Sequence, residues 1–390
     1  MPMRPGVAVV SLLFAVTVVP AVGQQKPPPP VFRSGVEVVL VDVTVLDKAG
    51  HTIADLLARD FSIEVAGKKR PVVGMQYVAS GRTPSLPALP ASNSLDPAPP
   101  SAVGVLAAAL ATEARSILVV VDTDNIRAGV GRGAMESLAD YFDTMPSTDQ
   151  IGLLAFPFGT PSVALTSDRP ALRAGLSKTS GTSHQLTSCD PTFGEAASGG
   201  DGWAGRVRQL GCRPSPAQLP MANALYRQQT KRLLDTLSNI ATSMMERPGR
   251  RAVVLVSEGL YFVEDMRDDL KRLSDVFERA RVVLHAVHLD FPFAEASSRG
   301  SIDLSRKTDD RYGFDAMAET TFAVGGETIR AISRPTGAIR RIDAALSGSY
   351  ILGFERIATD KDGKRLDLKV DVSRKGADVR ARSYVTISPK

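Results

Sequence analysis

From Val39 to Val45 apolar and polar positions alternate: Val39, Val41, Val43 and Val45 set against Asp42 and Thr44. Asp47-Lys48-Ala49-Gly50 makes a turn, and Phe61, Ile63 and Val65 alternate again before Gly67 sends the chain back towards Val72 and Met75. A period of two between turn residues predicts half-buried antiparallel strands. The same alternation returns near the other end. Leu366, Leu368, Val370 and Val372 oppose Asp367, Lys369, Asp371 and Ser373, and a turn at Lys375-Gly376 leads to a last strand through Val379, Ala381, Ser383 and Val385. Neither end buries an apolar face alone, so residues 34–79 and 356–390 are expected to pack together as one β-sandwich-like module.

Between these ends the period changes. Apolar runs at Ile117–Val121, Ile151–Phe156, Ala252–Val256, Val282–Val287 and Tyr350–Phe354 alternate with helical stripes. The stripes are Met135, Leu138, Phe142, Met145; Leu233, Leu237, Ile240, Met244; and Leu270, Leu273, Phe277, Ala280. Strands apolar on both faces, joined by amphipathic helices, predict an α/β domain over 115–355: a doubly wound, mostly parallel sheet with Ser162–Leu165 as an edge strand. Residues 80–101 hold six prolines among Ser, Ala and Leu, so 80–114 reads as a linker. An irregular insertion, 178–220, is long for a loop without structure of its own, which points to function or motion.

Composition adds little. Of 390 residues 43% are apolar and 23% charged, and a net charge of +5 spread over interspersed residues gives no nucleic-acid footprint. Aromatics are 6%, too sparse for a base-stacking surface. Lys68-Lys69-Arg70, Arg247 to Arg251 and Arg340-Arg341 are separate basic clusters, read as solvated faces or helix ends.

The first residues bear on compartment. Arg4, an apolar run Val7–Val19, Pro20 and the small residues Ala21-Val22-Gly23 form the three parts of a signal peptide over 1–23, with Gln24 as the mature start. The run is shorter than the ~20 residues of a membrane span, so export with cleavage is expected: a secreted or periplasmic protein without a stable membrane anchor. A Pro-rich spacer, 24–33, follows. In an oxidising compartment Cys189 and Cys212 read as a disulfide that stabilises by about 3 kcal/mol. A zinc site adding His184 lacks a fourth ligand.

In an open doubly wound sheet, ligands sit beyond the carboxyl ends of the strands, where strand order reverses. One core strand ends in Val121-Asp122-Thr123-Asp124-Asn125 and a later one in Val256-Ser257-Glu258-Gly259. If those strands are neighbours, Asp122, Asp124 and Glu258 meet at one rim, and a set of oxygen donors suits a hard cation, Mg2+ or Ca2+. The competing reading makes these acids caps of the following helices.

On these residues the core resembles the von Willebrand factor type A domain, in which an apolar strand ends in Asp-x-Ser-x-Ser and a later strand in an acidic residue plus Gly. From about residue 33 onward the chain is similar to VWFA-related bacterial exported proteins. The similarity rests on Asp47-Lys48-Ala49-Gly50, Asp60-Phe61, Thr321 to Gly326, Ser349-Tyr350-Ile351-Leu352-Gly353-Phe354 and Val379 to Tyr384. The resemblance implies a divalent cation at a metal-ion-dependent adhesion site, completed by a Thr from another loop and a carboxylate of a protein partner. Thr182 and Thr187 are candidates for that Thr. The motif is degenerate here: Asp124 stands at the first Ser, Ile126 at the second, and Glu258 where Asp is usual. That leaves two outcomes, a rewired cation site or a lost one.

Catalytic motifs fail on geometry. Gly129-x-Gly131-x-x-Ala134 starts well past the strand end at Val121, too late for a dinucleotide fingerprint. A nucleophile elbow at Ser257 needs Gly where Leu255 stands. His285 and His288, three apart on a strand, point to opposite faces and are expected to be buried and satisfied by neighbours. The sequence therefore reads as an exported, non-catalytic binding or adhesion-type protein that recognises a protein or extracellular ligand at the sheet top. A metal-free envelope scaffold and, behind it, a hydrolase are the alternatives.

Overall fold

A computed structural model describes residues 37–79, 115–126, 131–182, 219–260, 266–290, 306–332 and 334–387, with side chains from 224 and from 313 in the fourth and sixth segments. The expected signal peptide, the Pro-rich spacer, the whole 80–114 linker, and His184, Thr187, Cys189 and Cys212 of the insertion lie outside the described residues.

The strands are β1 (Val38–Leu46), β2 (Phe61–Val65), β3 (Lys68–Arg70), β4 (Val72–Ala79), β5 (Arg115–Asp122), β6 (Gln150–Phe156) and β7 (Ser162–Thr166). After them come β8 (Arg250–Ser257), β9 (Val282–Leu289), β10 (Thr328–Ala331), β11 (Gly348–Glu355), β12 (Arg365–Val372), β13 (Asp378–Ala381) and β14 (Tyr384–Thr386). The helices are α1 (Arg132–Phe142), α2 (Arg169–Ser177), α3 (Leu219–Ser243), α4 (Arg267–Ala280), α5 (Arg306–Ala323) and α6 (Thr336–Ala345). Among the described residues no helix is long and apolar enough to cross a membrane.

A six-stranded sheet runs in the order β10-β9-β8-β5-β6-β7. Its first five strands are parallel, and β7 closes one edge antiparallel to β6. Both faces are covered, which is why its central strands read as unbroken apolar runs. On one face Val119 and Val121 pack against Met135, Leu138 and Phe142 of α1 and Ile339 and Ile342 of α6. On the other, Val120, Val253 and Leu255 pack against Leu233 and Leu237 of α3 and Leu273 and Phe277 of α4. The predicted stripes are thus the buried faces of these helices. Local signals set the helix ends: Asp168 caps α2 by accepting from the Ala171 N–H at 3.0 Å, and Arg281 ends α4 in the left-handed region at φ 51°.

Two four-stranded sheets, β13-β1-β11-β4 and β14-β12-β2-β3, complete the fold. They share one core of Val41, Val43, Val45, Ile63, Val65, Tyr350, Leu352, Phe354, Leu368 and Val370. Here the expectation that Tyr350–Phe354 belongs to the parallel sheet, with the α/β unit ending at 355, is corrected. β11 pairs antiparallel with β1 and β4, so the α/β portion ends with α6 at Ala345. The reason is burial. One face of β11 presents Tyr350, Leu352 and Phe354 to the sandwich core, while Ser349 and Ile351 on the other face are buried too. A strand covered on both sides carries the apolar run of a parallel core strand whatever sheet it joins.

The first residue of β5 anchors the parallel sheet. Arg115 is 1% exposed and bidentate on Asp149, through Nε to Oδ1 at 3.1 Å and Nη2 to Oδ2 at 2.5 Å, and its Nη1 reaches Asp343 Oδ1 at 2.7 Å. The Tyr141 hydroxyl donates to Asp343 Oδ2 at 2.7 Å, which joins α1 to α6.

Candidate functional site at the carboxyl rim of the sheet

From β5 the chain passes to β6 on one side and later returns as β8 on the other. Strand order therefore reverses between β5 and β8, whose pairing runs to Val121 opposite Val256. The next residues, Asp122 and Ser257, stand at the carboxyl ends of the two strands, where open sheets of this kind bind ligands.

Asp122 is fully buried. Its Oδ2 lies 3.0 Å from the Ser257 Oγ and accepts from Asn125 Nδ2 at 2.7 Å, while its buried Oδ1 has no hydrogen-bond partner. Burial pushes its pKa from 3.8 up to about 7; the bonds from Asn125 and Ser257 pull the other way, and the charge of Asp124 adds to the rise. Ser257 has one hydroxyl proton and two acceptors, Asp122 Oδ2 and the Gly259 carbonyl, the latter also at 3.0 Å. That single proton is shared between the carboxylate and the carbonyl, while the Gly259 N–H donates to Ser257 Oγ at 3.2 Å and holds the hydroxyl in place.

The turn Thr123–Asn125 folds over the strand end. The Thr123 hydroxyl donates to the Phe156 carbonyl at 2.6 Å and so ties this turn to the end of β6. Thr182 arrives from beyond α2: its N–H donates to the Thr123 carbonyl at 2.8 Å, and its Oγ1 lies 3.1 Å from that oxygen and 3.4 Å from Asp124 Oδ1. Burial raises the pKa of Asp124, against the bond from Thr182 and the nearby charge of Arg232.

The structure thus brings together Asp122, Asp124 and Thr182. Glu258 follows Ser257 and is half-buried, but among the described residues no three His, Cys, Asp or Glu side chains converge as a set able to hold one ion. Ile126, at the degenerate motif position, is 1% exposed and packs in the apolar core with Val121 and Met135. Its side chain belongs to the packing and not to the rim. Gly131, at φ 95°, precedes α1 well beyond the end of β5.

Sequence reasoning missed three participants. Ser257 and Asn125 are the donors to Asp122, and the signal for Ser257 was its place at the strand end. Phe158 is 72% exposed in the loop between β6 and β7, at the same end of the sheet, since Asp122 is paired with Phe156. Its signal was an aromatic within Phe156-Pro157-Phe158-Gly159-Thr160-Pro161.

The two strand histidines are buried on opposite faces of β9, as expected, but only one is satisfied. His285 Nδ1 accepts from the Glu327 N–H at 3.4 Å. His288 sits opposite Ser257 in the register, yet neither of its ring nitrogens makes a well-formed hydrogen bond, and the Glu258 backbone offers only a weak one. Its contact is an edge-on Phe314 ring, 5.4 Å between centroids, and burial lowers its pKa to about 4. No hydrogen bond links His288 to the Ser257 hydroxyl, so the row lacks the base contact of a serine nucleophile.

No protein-family model matches the sequence, and no curated protein matches it. Among solved structures the chain is similar to the crystal structure of the TFIIH p34 N-terminal domain, at 9% identity over 58% of this chain and 94% of that one, with a TM-score of 0.25.

Proposed function

We propose that the chain is an exported recognition protein of the von Willebrand A kind, which captures a protein partner at the carboxyl rim of its parallel sheet. In this reading Asp122 and Asp124 hold a divalent cation, Mg2+ or Ca2+, with the Thr182 hydroxyl completing the protein's share. One observation carries it: a buried carboxylate oxygen, Asp122 Oδ1, without a hydrogen-bond partner, at the switch point of the sheet and beside a second carboxylate and a hydroxyl. Buried oxygens are ordinarily paired, and hard cations take such donors. With Ile126 withdrawn into the core, a bound ion keeps open positions that a partner's Asp or Glu can fill. Phe158 supplies an exposed aromatic anchor for the same partner.

Calorimetric and thermal-shift titration with Mg2+, Mn2+ and Ca2+ tests the cation, with Asp122→Asn as the control. Heat and a thermal shift in the wild type alone support the reading; none with any ion rejects it. The packing of Ile126 and the raised pKa of Asp122 favour a second reading, in which a proton replaces the ion and the rim docks a partner without metal. Capture of the partner that survives a chelator selects that one.

A further inference from the structure

At the opposite end of the parallel sheet lies a partly open cavity of ≈ 70 Å³, several times the ~10–15 Å³ that one ordered water needs. It is enclosed by the starts of β8 and β9, helix α4, and the sheet that contains β1 and β11. Arg250, Arg251, Arg281 and Arg382 line it together with Asp42 and Glu278. Each of these four arginines has a buried nitrogen without a hydrogen-bond partner: Arg250 Nη1, Arg251 Nε, Arg281 Nη1 and Arg382 Nε. Arg251 as a whole is 8% exposed. Unpartnered guanidinium donors grouped around one cavity are unusual, because buried charged groups are normally paired.

The charges do not balance. Arg382 reaches Glu278 Oε1 at 3.2 Å, and Arg281 lies 3.7 Å from Asp42 Oδ2, beyond hydrogen-bond distance. Arg250 donates only to a neutral group, Thr44 Oγ1, at 2.8 Å, and Arg251 donates to the carbonyls of Met245 and Arg247. Arg380, also in the wall, is matched separately by Glu327 and Asp378. Four guanidiniums therefore face two carboxylates, which leaves two positive charges uncompensated. Burial, and after it the charge of Arg281, lower the pKa of Arg251, and the opposing pull of Asp42 does not offset them.

We propose that this cavity is a binding site for a small dianionic oxyanion, the phosphate or sulfate group, presented free or on a small ester. The match is chemical: arginines in several walls of one cavity, an excess of two positive charges, and space for a group of a few heavy atoms, towards which the now covered guanidinium nitrogens turn on binding. The site is independent of the rim, with no residue in common.

The test is titration of the full chain with inorganic phosphate, sulfate and, at matched ionic strength, chloride, followed by calorimetry and melting temperature. Saturable binding of phosphate and sulfate but not of chloride is expected. Glycerol phosphate, as a further arm, distinguishes free from esterified groups. Arg281→Gln removes one donor and one charge, and weakens phosphate binding by roughly tenfold or more, the usual cost of a lost charge-assisted hydrogen bond; Arg281→Lys falls between. Nitrogen NMR of the wild type reads the site without substitution, through shifts of the Arg251 and Arg382 Nε–H signals on adding phosphate. No saturable binding at millimolar phosphate, or binding that moves neither signal and is unchanged in Arg281→Gln, overturns the proposal.

Discussion

Asp122 and Ser257 are 135 residues apart in sequence, yet the serine hydroxyl lies 3.0 Å from the buried carboxylate across two adjacent strand ends. The bond is short of what a fully buried charge needs, and the pKa rises to about 7. The folded chain then binds a proton between pH 3.8 and 7 that the unfolded chain has released. Stability from this group is present below about pH 4 and lost as pH rises through about 7, by at most ~4 kcal/mol. Asp122→Asn keeps the shape and removes the charge, so it gains stability over the wild type at pH 8 and loses that advantage at pH 5. Urea midpoints at the two pH values read this difference. A cation at the same carboxylate competes with the proton, so its affinity in the wild type climbs about tenfold from pH 6 to pH 8.

The ion pair at the other end of β5 obeys a different rule. Asp149 is 0% exposed and meets Arg115 with both carboxylate oxygens. Arg115→Leu strands that carboxylate and costs about 3–5 kcal/mol, whereas Arg115→Leu combined with Asp149→Leu recovers much of the loss. A double-mutant cycle in urea measures both numbers. Equal losses in the single and double variants would show that the pair adds packing and no electrostatic constraint.

Much of this architecture is legible in the sequence because the cause is local. The stripes Leu233-Leu237-Ile240 and Leu270-Leu273-Phe277 are faces of single helices, and Val119–Val121 is buried by its neighbours whatever their identity. Tyr350–Phe354 misled because double-sided burial looks alike in two different sheets. At the rim, position at a strand end singled out Asp122 and Asp124, whereas Thr182 entered as a candidate only through the family resemblance. The failure of Glu258 to complete a three-acid cluster, and the inward packing of Ile126, are side-chain facts that spacing does not encode. The arginines of the cavity were invisible for the same reason. Arg250 and Arg251 lie in a basic cluster that reads as a solvated end, and tertiary packing of distant strands makes it a wall.

Phe158 separates binding from folding. The ring is 72% exposed, so Phe158→Ser shifts stability by no more than about 0.5 kcal/mol. If the rim is the docking surface, the same substitution lowers partner capture tenfold or more, as truncating an interface aromatic does. Capture from a native envelope extract, quantified beside a urea melt, checks both expectations. Unchanged capture moves the interface away from the loop between β6 and β7.

His288 gives the clearest acid-side prediction. Burial is the main reason its pKa falls from 6.5 to about 4; Arg330 lowers it further, while Asp290 and the Glu258 backbone oppose the fall. The folded state holds the ring neutral where the unfolded chain protonates it, so stability present above pH 6.5 is lost as pH falls through 4. At pH 4.5 this amounts to about 2–3 kcal/mol relative to pH 7. His288→Leu removes the titration along with two buried nitrogens that make no well-formed hydrogen bond. The substitution is neutral or stabilising at pH 7, because an apolar side chain replaces polar atoms already stripped of water. Asp122 titrates in the opposite sense over part of this window but cancels when variant and wild type are compared at one pH. His285, held near pKa 3 mainly by burial, keeps some acid sensitivity in both chains. The gap between urea midpoints at pH 4.5 and pH 7 therefore narrows in His288→Leu without closing. An unchanged gap would mean that His288 gains a partner in solution, with the row of strand ends as the first place to look for it.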